Sequence, residues 1–214
     1  MNYYPIYLDL RNRRCVLVGG GPIAGGKARG LLDAGAHVIV IAPDLTPALT
    51  VFVQAERLTH HARRYRTGDL AGAILAISAT DDRAVNEAVW REANERGIPI
   101  NVVDDPPHCT FIAPSILRRG DLTVAVSTGG KAPALAVRLR EQFETLLGDE
   151  HARFLDLAGT LREPLAARYP DFETRKALWY RLVDSDVLDL LKRGDDAGAA
   201  QRITEIMGVV PQTT

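Results

Sequence analysis

The chain has little cysteine: Cys15 and Cys109 are its only two in 214 residues. One sits in an apolar run and the other in a loop-like stretch, which excludes a disulfide framework of the kind small secreted domains depend on. No apolar run approaches the ~20 residues of a membrane span. The residues before Arg14 also lack the basic-then-apolar lead of a secretory signal, so a cytoplasmic location is expected. Charge of one sign is not in excess either: 26 Lys and Arg stand against 27 Asp and Glu, a net charge of −1. That leaves no basic excess to read as nucleic-acid binding. Repeats and low-complexity segments are missing. What remains is 46% hydrophobic, the composition of a globular protein with a core, long enough for one large domain or a domain plus an appendage.

The chain is organised around Arg14-Cys15-Val16-Leu17-Val18-Gly19-Gly20-Gly21-Pro22-Ile23-Ala24. Cys15 to Val18 read as a strand buried on both faces, because a continuous apolar run stopped by a turn signal is what a central parallel strand looks like. Gly19, Gly21 and Ala24 stand at the spacing G-x-G-x-x-A. The first permits a tight turn, the second lets backbone approach a pyrophosphate, and the third keeps the following helix, Ala24 to Leu32, close to the sheet. A second strand, His37 to Ala42, completes a βαβ unit and ends in Pro43-Asp44. Asp44 has two readings here: an acid that takes the ribose hydroxyls of NAD and disfavours a 2′-phosphate, or a turn residue before the next helix.

Thr46 to Leu58 fits an amphipathic helix, and His60 to Tyr65 a polar strand or loop. The adjacent histidines His60 and His61 point apart on a strand, with no third ligand at metal spacing. Ala73 to Thr80 is a third buried strand, ending in small residues that let a cofactor cross its carboxyl end. Asp81-Asp82 cap a helix over 83–96, and Ile98 to Val103 is a fourth strand that discharges into Asp104. The alternation predicts an α/β fold, a Rossmann-like doubly wound parallel sheet with ligands at the strands' carboxyl ends. Ile6 to Leu10 alternates apolar and polar residues, which predicts a short lead-in strand.

From Phe111 the texture changes. Leu122 to Ser127 is a strand with one covered face, preceded by the turn Arg118 to Asp121. Thr128-Gly129-Gly130-Lys131-Ala132-Pro133 then opens a helix running to Leu147. It is not a Walker loop, but its main-chain N–H groups and Lys131 suit a carboxylate. Gly148 to Thr214 is helical, and Phe154, Leu157, Leu161 and Leu165 form a stripe that Pro164 is expected to kink or divide. About 65 residues with narrow stripes predict a poor core of their own, dependent on the first domain or a second copy of the chain.

Five motifs in this order resemble the precorrin-2 dehydrogenase / sirohydrochlorin ferrochelatase family, the dehydrogenase-chelatase part of siroheme synthase. They are Val18-Gly19-Gly20-Gly21-Pro22-Ile23-Ala24-x-x-Lys27, Ala79-Thr80-Asp81-Asp82-x-x-Val85-Asn86, Asn101-Val102-Val103-Asp104, Phe111-Ile112-Ala113-Pro114-Ser115 and Val124-Ala125-Val126-Ser127-Thr128-Gly129-Gly130. The resemblance covers nearly the whole chain. It implies a stand-alone form, with no methyltransferase domain after Thr214, in which NAD-dependent oxidation turns precorrin-2 into sirohydrochlorin. Ferrous iron is implied as a substrate for a second step to siroheme, with a dehydrogenase-only form as the alternative.

The residues follow from the same resemblance. Asp104 falls on the family's essential aspartate, and the family's NAD contacts fall around Pro22, Ile23, Pro43 and Asp44, beside Gly19 and Gly21 of the glycine spacing and Thr80 of the small-residue strand end. Ser127, Thr128, Gly129, Gly130 and Lys131 are candidates to receive the tetrapyrrole's carboxylates, with Arg118, Arg119 and Arg138 nearby. No metal ligands are assigned, although His108 and Cys109 are noted as residues able to assist a metal. A homodimer is implied, with 1–113 as the NAD-binding domain, 114–147 as a middle strand-helix dimerisation segment and 148–214 as a helical domain. Where many relatives carry arginine before Lys27, this chain has Gly25-Gly26, a weaker helix start. The rival from another class is a non-catalytic NAD-sensing regulatory module.

Overall fold

A computed structural model describes residues 3–212. The chain divides into two compact units, Met1–Ala113 and Pro114–Thr214.

The first unit alternates strand and helix: β1 (Arg14–Val18), α1 (Pro22–Asp33), β2 (His37–Ala42), α2 (Pro47–Gln54), β3 (Leu58–Ala62), β4 (Leu75–Ser78), α3 (Arg83–Glu95) and β5 (Ile100–Val102). All neighbours pair in parallel, in the order β3-β2-β1-β4-β5. This is the Rossmann-like sheet expected from the sequence, and its order reverses between β1 and β4, where such sheets open a crevice for ligands. Side chains of β1 divide between two cores. Cys15 and Leu17 face a cluster with Ala24, Ala28 and Leu49 of α1 and α2. Val16 and Val18 face one with Val89 and Ala93 of α3. Helices on both faces explain why these strands read as unbroken apolar runs. Burial pushes the Cys15 thiol up to about 11, so it stays a neutral core group.

Two expectations for this unit change. Residues 6–10 form no strand; Ile6, Tyr7 and Leu8 are exposed, and only Leu10 joins the core. Alternation alone does not make a strand without a neighbour to supply hydrogen bonds. The polar stretch after α2, whose composition suits a strand or a loop, lies in a strand that begins at Leu58. β3 is an edge strand bonded only to β2, and an edge tolerates the half-exposed His60 and His61.

The second unit opens with an antiparallel hairpin, β6 (Ser115–Arg119) and β7 (Leu122–Val126), in which Arg119 pairs with Leu122. Its two-residue loop places a positive φ of 54° on Gly120, the first loop position, where glycine is favoured in hairpin turns. Helices α4 (Pro133–Leu146), α5 (Asp149–Arg168), α6 (Phe172–Val183), α7 (Val187–Lys192) and α8 (Asp196–Met207) follow. Contrary to expectation, α5 to α8 build a core of their own: Leu161, Leu165, Leu182, Leu191, Ile203 and Met207 are buried together. Each stripe is narrow, but the four face one another. Nor does Pro164 divide α5, which continues to Arg168. Leu161 and Leu165 on either side are anchored in that core, and packing holds the helix across the missing hydrogen bond.

Candidate functional site

Three loops meet at the carboxyl ends of β1, β2 and β4. Gly19 has φ +122°, a conformation closed to other residues, and a Cβ there would lie 2.1 Å from the Ala79 carbonyl oxygen. A Cβ on Gly20 would lie 1.9 Å from the Asp44 carbonyl oxygen. Gly20 is a free position in the G-x-G-x-x-A pattern, and the pattern gave no signal for it; here it is as constrained as Gly19. Backbone bonds tie the loops together: Gly19 donates to Ile41 at 3.0 Å, Thr46 to Gly20 at 2.9 Å and Ala79 to Val18 at 2.7 Å. Gly21 is different. A Cβ on it would meet nothing within 4 Å, so its bareness opens space beside the first turn of α1, which no side chain caps.

That space is a cavity of about 490 Å³, walled by Gly19, Gly21, Pro43, Asp44, Thr46 and Thr80 among others. The Thr46 hydroxyl is buried with no hydrogen-bond partner among the described residues, an orphan polar atom on a residue of the cradle's wall. Uncapped N–H groups at a helix N-terminus, a residue without a side chain and an unpaired hydroxyl fit the pyrophosphate and ribose of a dinucleotide. Pro22 and Ile23 are the exposed first residues of α1 and do not wall the cavity. Despite Gly25-Gly26, α1 is continuous from Pro22, and Ala24 is fully buried.

Tyr65, also on this wall, is held from behind. Its hydroxyl donates to Glu92 Oε2, which also accepts from Gly68 N at 2.8 Å, while Arg96 Nε reaches Glu92 Oε1 at 2.7 Å. Glu92 is 3% exposed. Burial alone would raise its carboxyl, but bonds from Tyr65, Gly68 and Arg96 outweigh it and hold the group below its ordinary range. Burial first, and then the bond to Glu92, push the Tyr65 phenol far up.

A second cavity, of about 550 Å³, adjoins at a shared residue. Thr80 lines both, and the second is walled by Glu87, Asp104, Asp105 and His108. The segment Ala79 to Asn86 is built to hold Thr80. The Ser78 hydroxyl donates to Asn86 Oδ1 at 2.7 Å, Asn86 Nδ2 donates to the Thr80 carbonyl at 3.0 Å, and Asp82 caps α3 through Ala84 and Val85. Asp104 follows β5 with a positive φ of 59° and an exposed side chain. A non-glycine residue there costs about 1–3 kcal/mol and persists only where its surroundings enforce it.

The enforcement comes from Cys109. Its thiol donates to Val102 O at 3.1 Å and accepts from Val102 N at 3.3 Å, while Asn101 Nδ2 donates to Phe111 O at 3.1 Å. Burial raises that thiol. Cys109 is therefore a clamp on the Asp104 turn. Among the described residues, no three His, Cys, Asp or Glu side chains form a metal-holding group.

The remaining candidates lie in the second unit. Gly129 and Gly130 have φ of 62° and 80°. The Ser127 hydroxyl accepts from Gly129 N at 3.1 Å, and the Thr128 hydroxyl from Ala132 N at 3.2 Å. The turn thus uses its own hydroxyls to hold its shape before Lys131. Arg119 is committed elsewhere: its Nε donates to Leu147 O at 3.1 Å. Arg138 pairs with Glu141 at 2.8 Å on the exposed side of α4.

Comparison with known proteins gives three consecutive matches. Residues 6–115, just over half the chain, match the family described as "Putative NAD(P)-binding". Residues 119–146 match "Sirohaem biosynthesis protein central", and 150–207 "Sirohaem synthase dimerisation region". The siroheme synthase of Photobacterium profundum is 42% identical over 206 residues, covering 96% of this chain and 44% of that protein. Siroheme synthase 3 of Aeromonas hydrophila is 45% identical over 202 residues, covering 94% and 43%. The chain thus spans less than half the length of these relatives. A solved structure titled "SirC, precorrin-2 dehydrogenase" superposes with a TM-score of 0.75 at 25% identity, covering 95% of this chain and 100% of that one. A parallel sheet with a glycine cradle lies within the first of these regions and the two sirohaem regions follow it in order: the chain belongs to the family described as putative NAD(P)-binding.

Proposed function

We propose that the chain is an NAD-dependent dehydrogenase that oxidises precorrin-2 to sirohydrochlorin, with Asp104 as the base. The observation that carries the reading is Thr80, common to a dinucleotide-sized cradle and to the cavity that holds Asp104. NAD, when bound, supplies the acceptor for a hydride. Gly21 and the uncapped N–H groups of α1 hold the pyrophosphate by backbone, the Thr46 hydroxyl pairs with a sugar or phosphate oxygen, and Asp44 takes the ribose hydroxyls. An acid at that place favours NAD over NADP, because it repels a 2′-phosphate. Loss of hydride leaves the macrocycle a proton in excess, and an exposed carboxylate held in an enforced turn is placed to remove it. The Ser127 to Lys131 turn receives substrate carboxylates.

The same carboxylate serves iron insertion, in which ferrous iron is a substrate and displaces pyrrole protons. The protein acts as a homodimer, a reading supported by the dimerisation-region match over 150–207. No helix among the described residues is long and apolar enough to cross a membrane, and two unpaired cysteines suit the reducing cytoplasm.

Purified protein mixed anaerobically with NAD and precorrin-2 produces NADH absorbance. Asp104→Ala lowers kcat by roughly 10²–10⁴-fold with NAD affinity nearly unchanged by calorimetry. Retained turnover in that variant refutes the base, and no NADH from the unaltered protein hands the case to the NAD-sensing module. Siroheme formation from sirohydrochlorin and ferrous iron, with and without protein, separates the bifunctional enzyme from the dehydrogenase-only form.

A further inference from the structure

The Asp104 cavity contains more proton chemistry than one carboxylate. His108 ends a short 3-10 turn, Pro106–His108, and lines the cavity. Its ring is fixed from three sides. Nδ1 lies 2.7 Å from Asp105 Oδ2, and Nε2 lies 3.4 Å from Glu87 Oε2. The ring also meets the Trp90 ring edge-on at 4.6 Å between centroids. The side chain keeps 32% of its exposure, so it is held but not sealed. Two prolines and the Cys109 clamp stiffen the turn that carries it. An imidazole oriented by a carboxylate on one nitrogen, with the other at the edge of a cavity, is the arrangement that prepares histidine to pass a proton. Because Asp105 accepts from Nδ1, the nitrogen left for exchange is Nε2.

We propose that His108, oriented by Asp105, is the relay that takes the proton from Asp104 and delivers it to solvent past Glu87. This rests on the dehydrogenase reading above. The Asp104 carboxyl O–H breaks as an Nε2–H bond forms, directly or through one water. The carboxylate returns to its ionised state, and the imidazolium releases the proton to bulk water. No oxidant or co-reactant is consumed. The relay matters when a macrocycle fills the cavity and cuts Asp104 off from water. The charged groups that line the cavity with His108 come from two elements and the β4–α3 connection. They are Asp105 and Asp104 on its own segment, Asp81 before α3, and Arg83 and Glu87 on α3, the last paired with Arg91 at 3.0 Å.

The test uses the full chain. His108→Ala lowers kcat by roughly 10- to 100-fold, short of the full ~10²–10⁴ of a direct acid–base group. KM for NAD and for precorrin-2 does not change, the lower limb of the kcat–pH profile moves, and added imidazole restores turnover. His108→Gln, which keeps a polar side chain in the turn, shows the same loss if His108→Ala fails to fold. A readout without turnover is the imidazole nitrogen signal of His108, identified by its disappearance in His108→Gln. Asp105→Asn moves its Nδ1 signal, because the carboxylate that accepts the Nδ1 proton is gone. No NADH from the unaltered protein overturns this proposal together with the reading beneath it. Turnover by the unaltered protein, with unchanged kcat and pH profile in both His108 variants, overturns the relay alone.

Discussion

The two units solve the burial problem differently. In the first, β1, β2 and β4 are covered on both faces, and three backbone loops are packed so tightly at their ends that two glycines admit no side chain. In the second, α5 to α8 close a core of their own. The hairpin and α4 do not: Leu135 and Leu146 of α4 are 52% and 68% exposed, and Ile116 of β6 is 43% exposed. The hairpin packs on α4 and α5 and buries Leu117 and Ala136, but this small contact leaves most of the apolar surface of α4 open. One unit is thus specified from inside and carries the cradle and Asp104. The other leaves apolar surface in the region that matches the sirohaem-protein central family.

The contrast is open to experiment because each unit has one tryptophan, Trp90 in α3 and Trp179 in α6. Trp179→Phe and Trp90→Phe backgrounds let fluorescence follow the two separately. The largest effect is expected from Gly19→Val, which combines a forbidden φ with a backbone collision. It costs more than ~4 kcal/mol and abolishes the folded signal of Trp90; near-normal denaturation would show that the loops are looser than their contacts imply. Leu161→Ala, in the helical core, lowers stability by about 2–5 kcal/mol in denaturant unfolding followed by Trp179. A smaller loss would mean that α5 to α8 do not depend on their own core.

Glu92→Gln is expected to cost about 1–3 kcal/mol at neutral pH, the penalty of disturbing a buried hydrogen-bonded acid. Because Glu92 is held below its ordinary range in the folded protein, its contribution is complete above that range. It is lost as pH falls through the range and past the lowered value. Melting curves from pH 7 to pH 3 should therefore drop more steeply for the unaltered protein than for the variant, and equal slopes would remove Glu92 from the acid response. The smallest effect on the protomer comes from Leu135→Ser with Leu146→Ser, both at exposed sites: within ~0.5 kcal/mol, with a fall in assembly state by sedimentation. A well-behaved dimer in that double variant would refute the role given to α4.

Much of the first unit is legible residue by residue. The strand over His37 to Ala42 has the bounds its composition predicts, and Asp82 caps α3 as its position before a helical stripe requires. These features depend on a few neighbours in sequence. The edge strand β3 is less legible, since its place rests on pairing with β2 rather than on its own polar residues. The alternation at 6–10 misleads for the complementary reason: a pattern suited to a strand found no ladder. In the site, Gly19 and Gly21 are visible in the motif, whereas Gly20, Thr46 and the Asp105–His108–Glu87 cluster are not. Their significance comes from atoms many positions away.

Local chemistry by itself determined where the chain turns, which runs are buried on both faces, and that the first strand ends in a glycine-rich turn. Those outcomes follow from backbone freedom and apolar periodicity within a dozen residues. Only the tertiary structure decided that narrow stripes on four helices make a core, that Cys109 clamps Asp104, and that Thr80 joins two cavities. Each depends on groups brought together by parallel pairing and helix packing, and distances of a few ångströms across such contacts are not encoded in any short stretch of residues.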